Sequence, residues 1–212
     1  MGPYDEVFAA LDSAGVRYVV VGGVAVVLQG HPRMTVDLDL VIDLAEDQAL
    51  RAVEALASLG LLPRLPVDAR DFAIESKRRD WVETRNMQVF SFYDPTNPLR
   101  EVNVFADYPL EFEELVADAR AVNLNGRAVP VASIEHLIQM KQVAARPHDL
   151  AEADWSAATF AGLRAVTARA AAAATPQQRW LWLNQAMQLA AASGALDRVR
   201  AARHDEALAA WC

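Results

Sequence analysis

The sequence predicts an α+β fold, close to the α/β class, with a helical extension at the C-terminal end. Short β-branched apolar runs alternate with segments of helical period through most of the chain. Hydrophobic residues make up 53% and charged residues 23% of the 212 residues, a composition typical of a globular protein. From Thr159 the chain becomes alanine-rich, which favours helices. We therefore predict a domain of residues 1–158 and a helical extension of residues 159–212.

Composition also limits the classes of function. The net charge of −8 argues against a protein that coats nucleic acid, because such proteins neutralise phosphates with basic residues. It does not exclude a nucleotide or a tRNA end bound through a metal ion. No apolar run approaches the length of about 18 residues that crosses a membrane, and no secretory signal is recognisable. The only cysteine is Cys212, so no disulfide forms within the chain. These features predict a cytoplasmic protein without a membrane partner.

The chain is organised around a strand, a glycine turn, a helix and a second strand between Tyr18 and Ile42. The β-branched run 18–21 predicts a buried strand that ends at Gly22-Gly23. Residues 24–29 predict one or two helical turns. Glycines let the backbone approach a phosphate closely, and a helix start offers free N–H groups. Alone, however, such a turn is more often only a tight connection between a strand and a helix.

The second strand carries two aspartates. Asp37 and Asp39 alternate with apolar residues, so both carboxylates point to one face of the sheet, roughly 6.6 Å apart along the strand. Neighbouring carboxylates repel each other unless a cation lies between them. Their hard oxygen ligands suit Mg²⁺ or Mn²⁺ bound together with nucleotide phosphates. Alone, an Asp-x-Asp pattern more often marks a solvated strand, but the glycine turn and the aspartates in this order are much more specific.

The motif Gly22-Gly23 followed by Arg33-x-Thr35-x-Asp37-Leu38-Asp39 resembles the signature of polymerase-β-type nucleotidyltransferases, over roughly residues 4–155. The stretch is similar to minimal bacterial members, including the toxin subunits of abortive-infection type E systems. The resemblance implies a small mixed β-sheet flanked by helices. It also implies transfer of a nucleoside monophosphate from an NTP to a hydroxyl, with Mg²⁺ held by the two aspartates. Gly22, Gly23, Arg33 and Thr35 would then bind the nucleotide. For Arg33, phosphate contact and support of the loop are equally open.

The family pattern also implies a third acidic residue on the strand beside the aspartate strand, as a metal ligand and general base. The predicted strand of residues 100–107 has Asn103 at the matching position. Asparagine can bind a metal through its carbonyl but cannot accept a proton. Glu101 lies on the same strand face, two residues earlier. Three hypotheses remain open: Glu101 is the third acid, the enzyme works with two acids, or catalysis is weakened or lost.

A second part of the resemblance lies between residues 137 and 154. Carried over from the family, Lys141 neutralises the NTP phosphates, and Asp149 orients that lysine or the acceptor. The structural alternatives are a surface lysine whose stem covers apolar surface and an aspartate that caps the next helix. Three histidines lack the spacing of metal ligands: His31, His136 and His148. We predict structural or surface roles for them.

Periodicity and turn residues predict the other elements in order. They are helices at 4–14, from Asp43 to Gly60, 68–81, 109–119 and 133–145, a strand at 87–93, and a hairpin at 121–131 with a type I′ turn at Asn125-Gly126. In the extension, Thr175-Pro-Gln-Gln178 predicts a capped helix start, and residues 195–210 predict a second helix. Three tryptophans there either pack on the main domain or form a docking surface: Trp180, Trp182 and Trp211.

The most basic stretch of this acidic chain lies in the helix predicted at 68–81 and just after it. Its basic residues are Arg70, Lys77, Arg78, Arg79 and Arg85. They are interpreted either as a solvated helix face or as a patch that receives phosphate or an acidic or nucleic-acid acceptor.

The sequence therefore predicts an Mg²⁺-dependent nucleotidyltransferase with an NTP as substrate. The toxin-like resemblance implies a tRNA or protein acceptor, with a cognate antitoxin or a second copy of the chain as partner. Antibiotic nucleotidyltransferases share the same plan, so a small aminoglycoside- or lincosamide-like acceptor is the alternative. A catalytically silent binding subunit is a third hypothesis, and Asn103 motivates it.

Overall fold

The computed structural model of the chain describes residues 2, 4–31, 35–97, 99–143, 173–194 and 201, except for the side chains of 141–143. Within these residues lies a seven-stranded mixed β-sheet with helices on both faces, which confirms the predicted fold class. The strands are β1 (Tyr18–Val21), β2 (Leu38–Ile42), β3 (Leu62–Pro63), β4 (Val89–Tyr93), β5 (Glu101–Phe105), β6 (Arg120–Leu124) and β7 (Arg127–Val131). The helices are α1 (Asp5–Ser13), α2 (Gly22–Leu28), α3 (Glu46–Ser58), α4 (Glu75–Arg85), α5 (Phe112–Ala117), α6 (Ile134–Val143) and α7 (Pro176–Ala192), with a 3-10 helix at Ala69–Ala73.

The strand order is β3-β4-β5-β2-β1-β7-β6. Strand β2 lies in the middle, antiparallel to β1 and parallel to β5, and β4 runs antiparallel to β5. The register sets Asp39 opposite Val21 on one side and Asn103 on the other. Residues far apart in the chain thus become neighbours across the centre of the sheet.

Alternation along the strands separates two apolar layers. On one face, Leu38, Leu40, Val102 and Val104 join the main core with residues of α1, α3, α4 and α7. On the other face, a smaller cluster contains Val19, Val21, Val41, Leu115 and Ala132. The polar residues that alternate with the main-core residues of β2 and β5 therefore lie on the face of this smaller cluster.

Two local predictions differ from the structure in their bounds. Helix α2 begins at Gly22, two residues earlier than expected. The helix predicted at 68–81 is divided into the 3-10 helix and α4, because Ile74 between them has an extended backbone, with ψ 112°. By contrast, the predicted hairpin turn is confirmed, since Asn125 (φ 53°) and Gly126 (φ 85°) both have the positive φ that a type I′ turn requires.

Helix α7 belongs to the main core. Trp180 is 1% exposed and packs against Tyr4 and Phe8, with ring centroids 6.3 and 5.9 Å apart, so its structural interpretation is confirmed. Trp182 is 47% exposed. Trp211, the helix predicted at 195–210 and the boundary at residue 158 lie outside the described residues. None of the helices that the structure describes has the length and hydrophobicity to cross a membrane.

Thr175 caps α7 as predicted. Its Oγ1 accepts a hydrogen bond from the Gln178 N–H at 3.2 Å, and Gln178 Oε1 accepts one from the Thr175 N–H at 2.8 Å. We expect Thr175→Ala to lower the free energy of unfolding by about 1 kcal/mol, because the helix loses one half of this capping box. Denaturant unfolding followed by circular dichroism measures the change. Thr175→Ser keeps the hydroxyl and should stay close to wild type; equal losses in the two variants would argue against capping as the cause.

Candidate active site

Three polar side chains form a row across the sheet. Asp39 on β2 pairs in register with Asn103 on β5, and Asn103 pairs in register with Ser91 on β4. Their neighbours Leu38, Leu40, Phe90, Phe92, Val102 and Val104 lie in the main core. The alternation of the three strands therefore places all three polar side chains on the opposite face, directly beside one another.

Asn103 lies between the two aspartates. Its Nδ2 donates to Asp37 Oδ2 at 3.1 Å and to Asp39 Oδ1 at 3.0 Å, so one N–H of the amide is used on each carboxylate. The carbonyl end of the same amide, Oδ1, accepts a hydrogen bond from Ser91 Oγ at 2.7 Å. Asn103 is 9% exposed. Because ionised carboxylates only accept hydrogen bonds, the amide must direct its NH₂ group at them.

The glycine turn lies against Asp39. Gly22 has φ +60°, and a Cβ added there would lie 2.7 Å from Asp39 Cγ and 2.8 Å from Asp39 Cβ. A Cβ added at Gly23 would lie 2.6 Å from Thr35 Cβ. Real side chains do not come so close, so both positions require glycine for space, and Gly22 also for its backbone conformation.

Thr35 holds the carboxylate of Asp37. It is 6% exposed, and its Oγ1 donates to Asp37 Oδ1 at 3.2 Å. The next residue, Val36, accepts a hydrogen bond from the Tyr4 hydroxyl through its carbonyl at 3.1 Å. The segment that leads into β2 is therefore held by Tyr4, the residue before α1, and by the hydrogen bond between Thr35 and Asp37. Direct contact of Thr35 with a nucleotide stays a prediction.

Glu101 lies two residues before Asn103 on β5, on the same strand face, and forms a buried ion pair. Arg64 Nη2 is 3.0 Å from Glu101 Oε1, and the two side chains are 8% and 3% exposed. The Arg64 guanidinium also lies over the Tyr93 ring, 5.3 Å from its centroid. Among the described residues, no three acidic, histidine or cysteine side chains are grouped to hold a metal ion. The role of Glu101 as a third acid stays a prediction.

Most of the residues predicted from the sequence lie together. Those within one cluster are Gly22, Gly23, Thr35, Asp37, Asp39 and Asn103. Arg33 and Asp149 fall outside the described residues, and of Lys141 only the backbone in α6 is described. Sequence reasoning missed Ser91 and Arg64. Ser91 carried a usable signal, since it alternates with Phe90 and Phe92 on a predicted strand. Arg64, in a loop, carried none.

Most side chains of the basic stretch pair with nearby groups, and of these only Arg78 is buried. Arg78 is 5% exposed and donates to the carbonyls of Phe72, Ala73 and Leu44, at 2.6 to 2.8 Å. Three other basic residues of the stretch form ion pairs with acidic residues: Lys77 with Asp71, Arg79 with Glu75 and Arg70 with Glu54. A cleft of about 440 Å³ beside this stretch is lined by Leu44, Ala106 and Asp107, at the far ends of β2 and β5 from the aspartates. The phosphate-receiving role of the stretch stays a prediction.

Comparison with known proteins identifies a family whose model matches most of this chain. A family model described as aminoglycoside-2''-adenylyltransferase matches residues 5–156. This range includes the glycine turn, both aspartates and Asn103. A solved structure of a candidate nucleotidyltransferase from Thermotoga maritima is 15% identical, with a TM-score of 0.45; the match covers 70% of this chain and 86% of that one. No protein of curated function gives a significant match.

Proposed function

The chain belongs to the aminoglycoside-2''-adenylyltransferase family, and on this premise we propose that it transfers a nucleoside monophosphate from ATP to a hydroxyl of a small cationic acceptor. The aspartate pair against the glycine turn is the observation that supports the proposal most strongly. A net charge of −8 favours an acceptor that carries amino groups over a nucleic acid. The tRNA or protein acceptor of the toxin-like prediction, with its antitoxin partner, is the rival.

Asp37 and Asp39 fit the Mg²⁺ ion, or Mn²⁺, that this chemistry uses. They offer carboxylate oxygens on one face of the sheet, and Thr35 and Asn103 hold them in place through three hydrogen bonds. Such an ion, when bound, supplies positive charge that offsets the charge of the triphosphate. Lys141, whose backbone lies in α6, is our second candidate for neutralising phosphate.

The chain's own residues then position the reactants. The absence of side chains at Gly22 and Gly23 lets Asp39 and Thr35 pack directly against the start of α2, so a triphosphate at this turn would lie beside the aspartates. The acceptor oxygen forms a bond to the α-phosphorus while the bond from that phosphorus to the bridging oxygen breaks. Pyrophosphate leaves with the electron pair. Asn103 cannot take the hydroxyl proton, so the proton passes to a carboxylate of the pair or to water. Such a site works mainly by positioning and charge neutralisation.

The test is a calorimetric titration of each NTP into the protein with Mg²⁺. We expect ATP to bind only with the metal, and the double variant Asp37→Asn/Asp39→Asn to lose this binding by at least roughly 100-fold, because the metal loses both charged ligands. Asp107→Asn is the matched control. It removes one exposed carboxylate two residues after the end of β5 and should bind like wild type.

Labelled ATP then identifies the acceptor. Transfer of label to kanamycin but not to bulk tRNA would support the proposal. Transfer to tRNA alone would support nucleotidyltransferase activity but contradict the proposal of a small cationic acceptor. A second candidate function is a silent binding subunit, which Asn103 between the two aspartates favours. That function predicts no metal-dependent binding of any NTP by the intact chain.

A further inference from the structure

The C-terminal end of α2 is held by a buried arginine of α7. Arg179 Nη2 donates to the Leu28 carbonyl at 2.7 Å, and Nη1 of the same guanidinium donates to the Ala174 carbonyl at 2.7 Å. Arg179 is 7% exposed and Leu28 is 1% exposed, so water competes little for the bond between them. The guanidinium therefore joins the last residue of α2 to the segment just before α7.

Leu28 lies where an α-helix leaves its carbonyls without donors inside the helix. The three carbonyls before it, those of residues 25–27, accept hydrogen bonds from backbone N–H groups of residues 29–31, at 2.9 to 3.1 Å. The Leu28 carbonyl accepts one from the side chain of Arg179. A positive charge at this end of a helix also complements the helix dipole. Arg179 therefore caps α2 with both a hydrogen bond and a charge.

The other end of α2 is the glycine turn of the candidate active site. Helix α2 has seven residues, so it is only about 10 Å long. Gly22 and Gly23 lie so close to Asp39 and Thr35 that no Cβ fits between them. Because a hydrogen-bonded helix of about two turns moves as one piece, a shift at Leu28 would displace the turn against these side chains.

Hydrogen bonds fix the position of α2 more sharply than its apolar contacts do. Hydrophobic burial is non-directional, whereas a hydrogen bond sets a distance and an angle between two particular groups. Two side chains supply such bonds at this end of α2: Arg179 at the Leu28 carbonyl, and Gln29, whose Nε2 donates to the Ala132 carbonyl at 2.7 Å. Of the two, Arg179 lies outside residues 5–156, which the family model matches.

We propose that Arg179 is a positioning residue for the nucleotide site, because it holds α2 where the glycine turn packs against Asp39 and Thr35. The inference rests on the proposed function, since it concerns the site that binds ATP with Mg²⁺. It gives α7 a role in nucleotide binding that acts through α2, without contact between Arg179 and the ligand.

The experiment is a calorimetric titration of ATP with Mg²⁺ into the wild-type chain and Arg179→Met, at a temperature where circular dichroism shows both folded. Methionine keeps a long side chain but has no donors. Loss of folded molecules lowers the stoichiometry of binding, whereas a displaced site raises Kd. We expect Kd to rise at least about tenfold at unchanged stoichiometry, since a displacement of about 1 Å can cost on the order of 100-fold.

Two further variants of this region serve as matched controls. Thr175→Ala removes the cap of α7, and Trp180→Phe removes the indole N–H that donates to Asp5 Oδ1 at 3.2 Å. Both weaken the attachment of α7 but keep the bond from Arg179 to Leu28, so both should bind ATP with the Kd of the wild type. A rise in Kd equal to that of Arg179→Met in both controls would contradict a specific role of Arg179.

The outcomes separate this inference from the proposed function. If the wild-type chain binds no NTP with Mg²⁺, the proposed function fails and the inference fails with it. If the wild type binds ATP and Arg179→Met binds it with the same Kd, only the inference fails. If Arg179→Met does not fold, Arg179→Lys takes its place, because one nitrogen cannot occupy the positions of both guanidinium nitrogens. The same rise in Kd is then expected, and a wild-type Kd would overturn the inference.

Discussion

Replacing Gly22 by alanine is expected to remove metal-dependent nucleotide binding while the chain remains folded. The added Cβ would lie 2.7 Å from Asp39 Cγ, so the carboxylate must move away from its place beside Asn103. A displacement of about 1 Å in such a site can cost on the order of 100-fold in function. We therefore expect ATP affinity with Mg²⁺, and any transferase activity, to fall by at least that factor.

Two matched variants separate the effect of backbone strain from that of the steric conflict. Gly126 has φ +85° with no heavy atom near an added Cβ, so Gly126→Ala introduces the backbone strain alone, about 1–2 kcal/mol in stability, and should bind ATP normally. Gly23 has no positive φ, but its added Cβ would meet Thr35, so Gly23→Ala introduces the steric conflict alone and should weaken binding through Asp37. Normal binding by Gly22→Ala would remove the turn from the candidate site.

Much of the site could be predicted because its signals are local. The strand, the glycine turn and the alternating aspartates lie within 25 residues, and the periodicity of two alone sets Asp37 and Asp39 on one face. Asn103 could be placed near them only through the family pattern. Its contacts with both aspartates then follow from the parallel register of β2 and β5, which periodicity does not determine.

The interactions that sequence reasoning missed all depend on contacts between distant segments. Arg64 reaches Glu101 from a loop, and Ser91 meets Asn103 only because β4 and β5 pair in that register. The same limit explains the helix predicted at 68–81. Helical period and charge could not show that Arg78 would be buried. Nor could they show that the helix would be interrupted at Ile74.

Arg78 provides the second large effect, on stability. We expect Arg78→Leu to lower the free energy of unfolding by about 3–5 kcal/mol, because two buried carbonyls and one partly buried carbonyl lose their donor. Burial lowers the pKa of the guanidinium, which nonetheless stays charged, as arginine does in proteins. Arg79→Leu is the matched control at the next position. Its exposed pair with Glu75 is worth little, so the change should stay within about 0.5 kcal/mol.

The pair of variants also decides between the two interpretations of the basic stretch. A guanidinium that donates hydrogen bonds to the carbonyls of Phe72, Ala73 and Leu44 has a structural role. Its planar group of N–H donors fits three carbonyls better than an ammonium group would. Arg78→Lys should therefore recover only part of the lost stability while keeping the charge. Should Arg78→Leu instead unfold like wild type in denaturant titrations and bind ATP or the acceptor more weakly, the charge of this helix would serve a ligand, and the cleft beside Asp107 would be where to look for it.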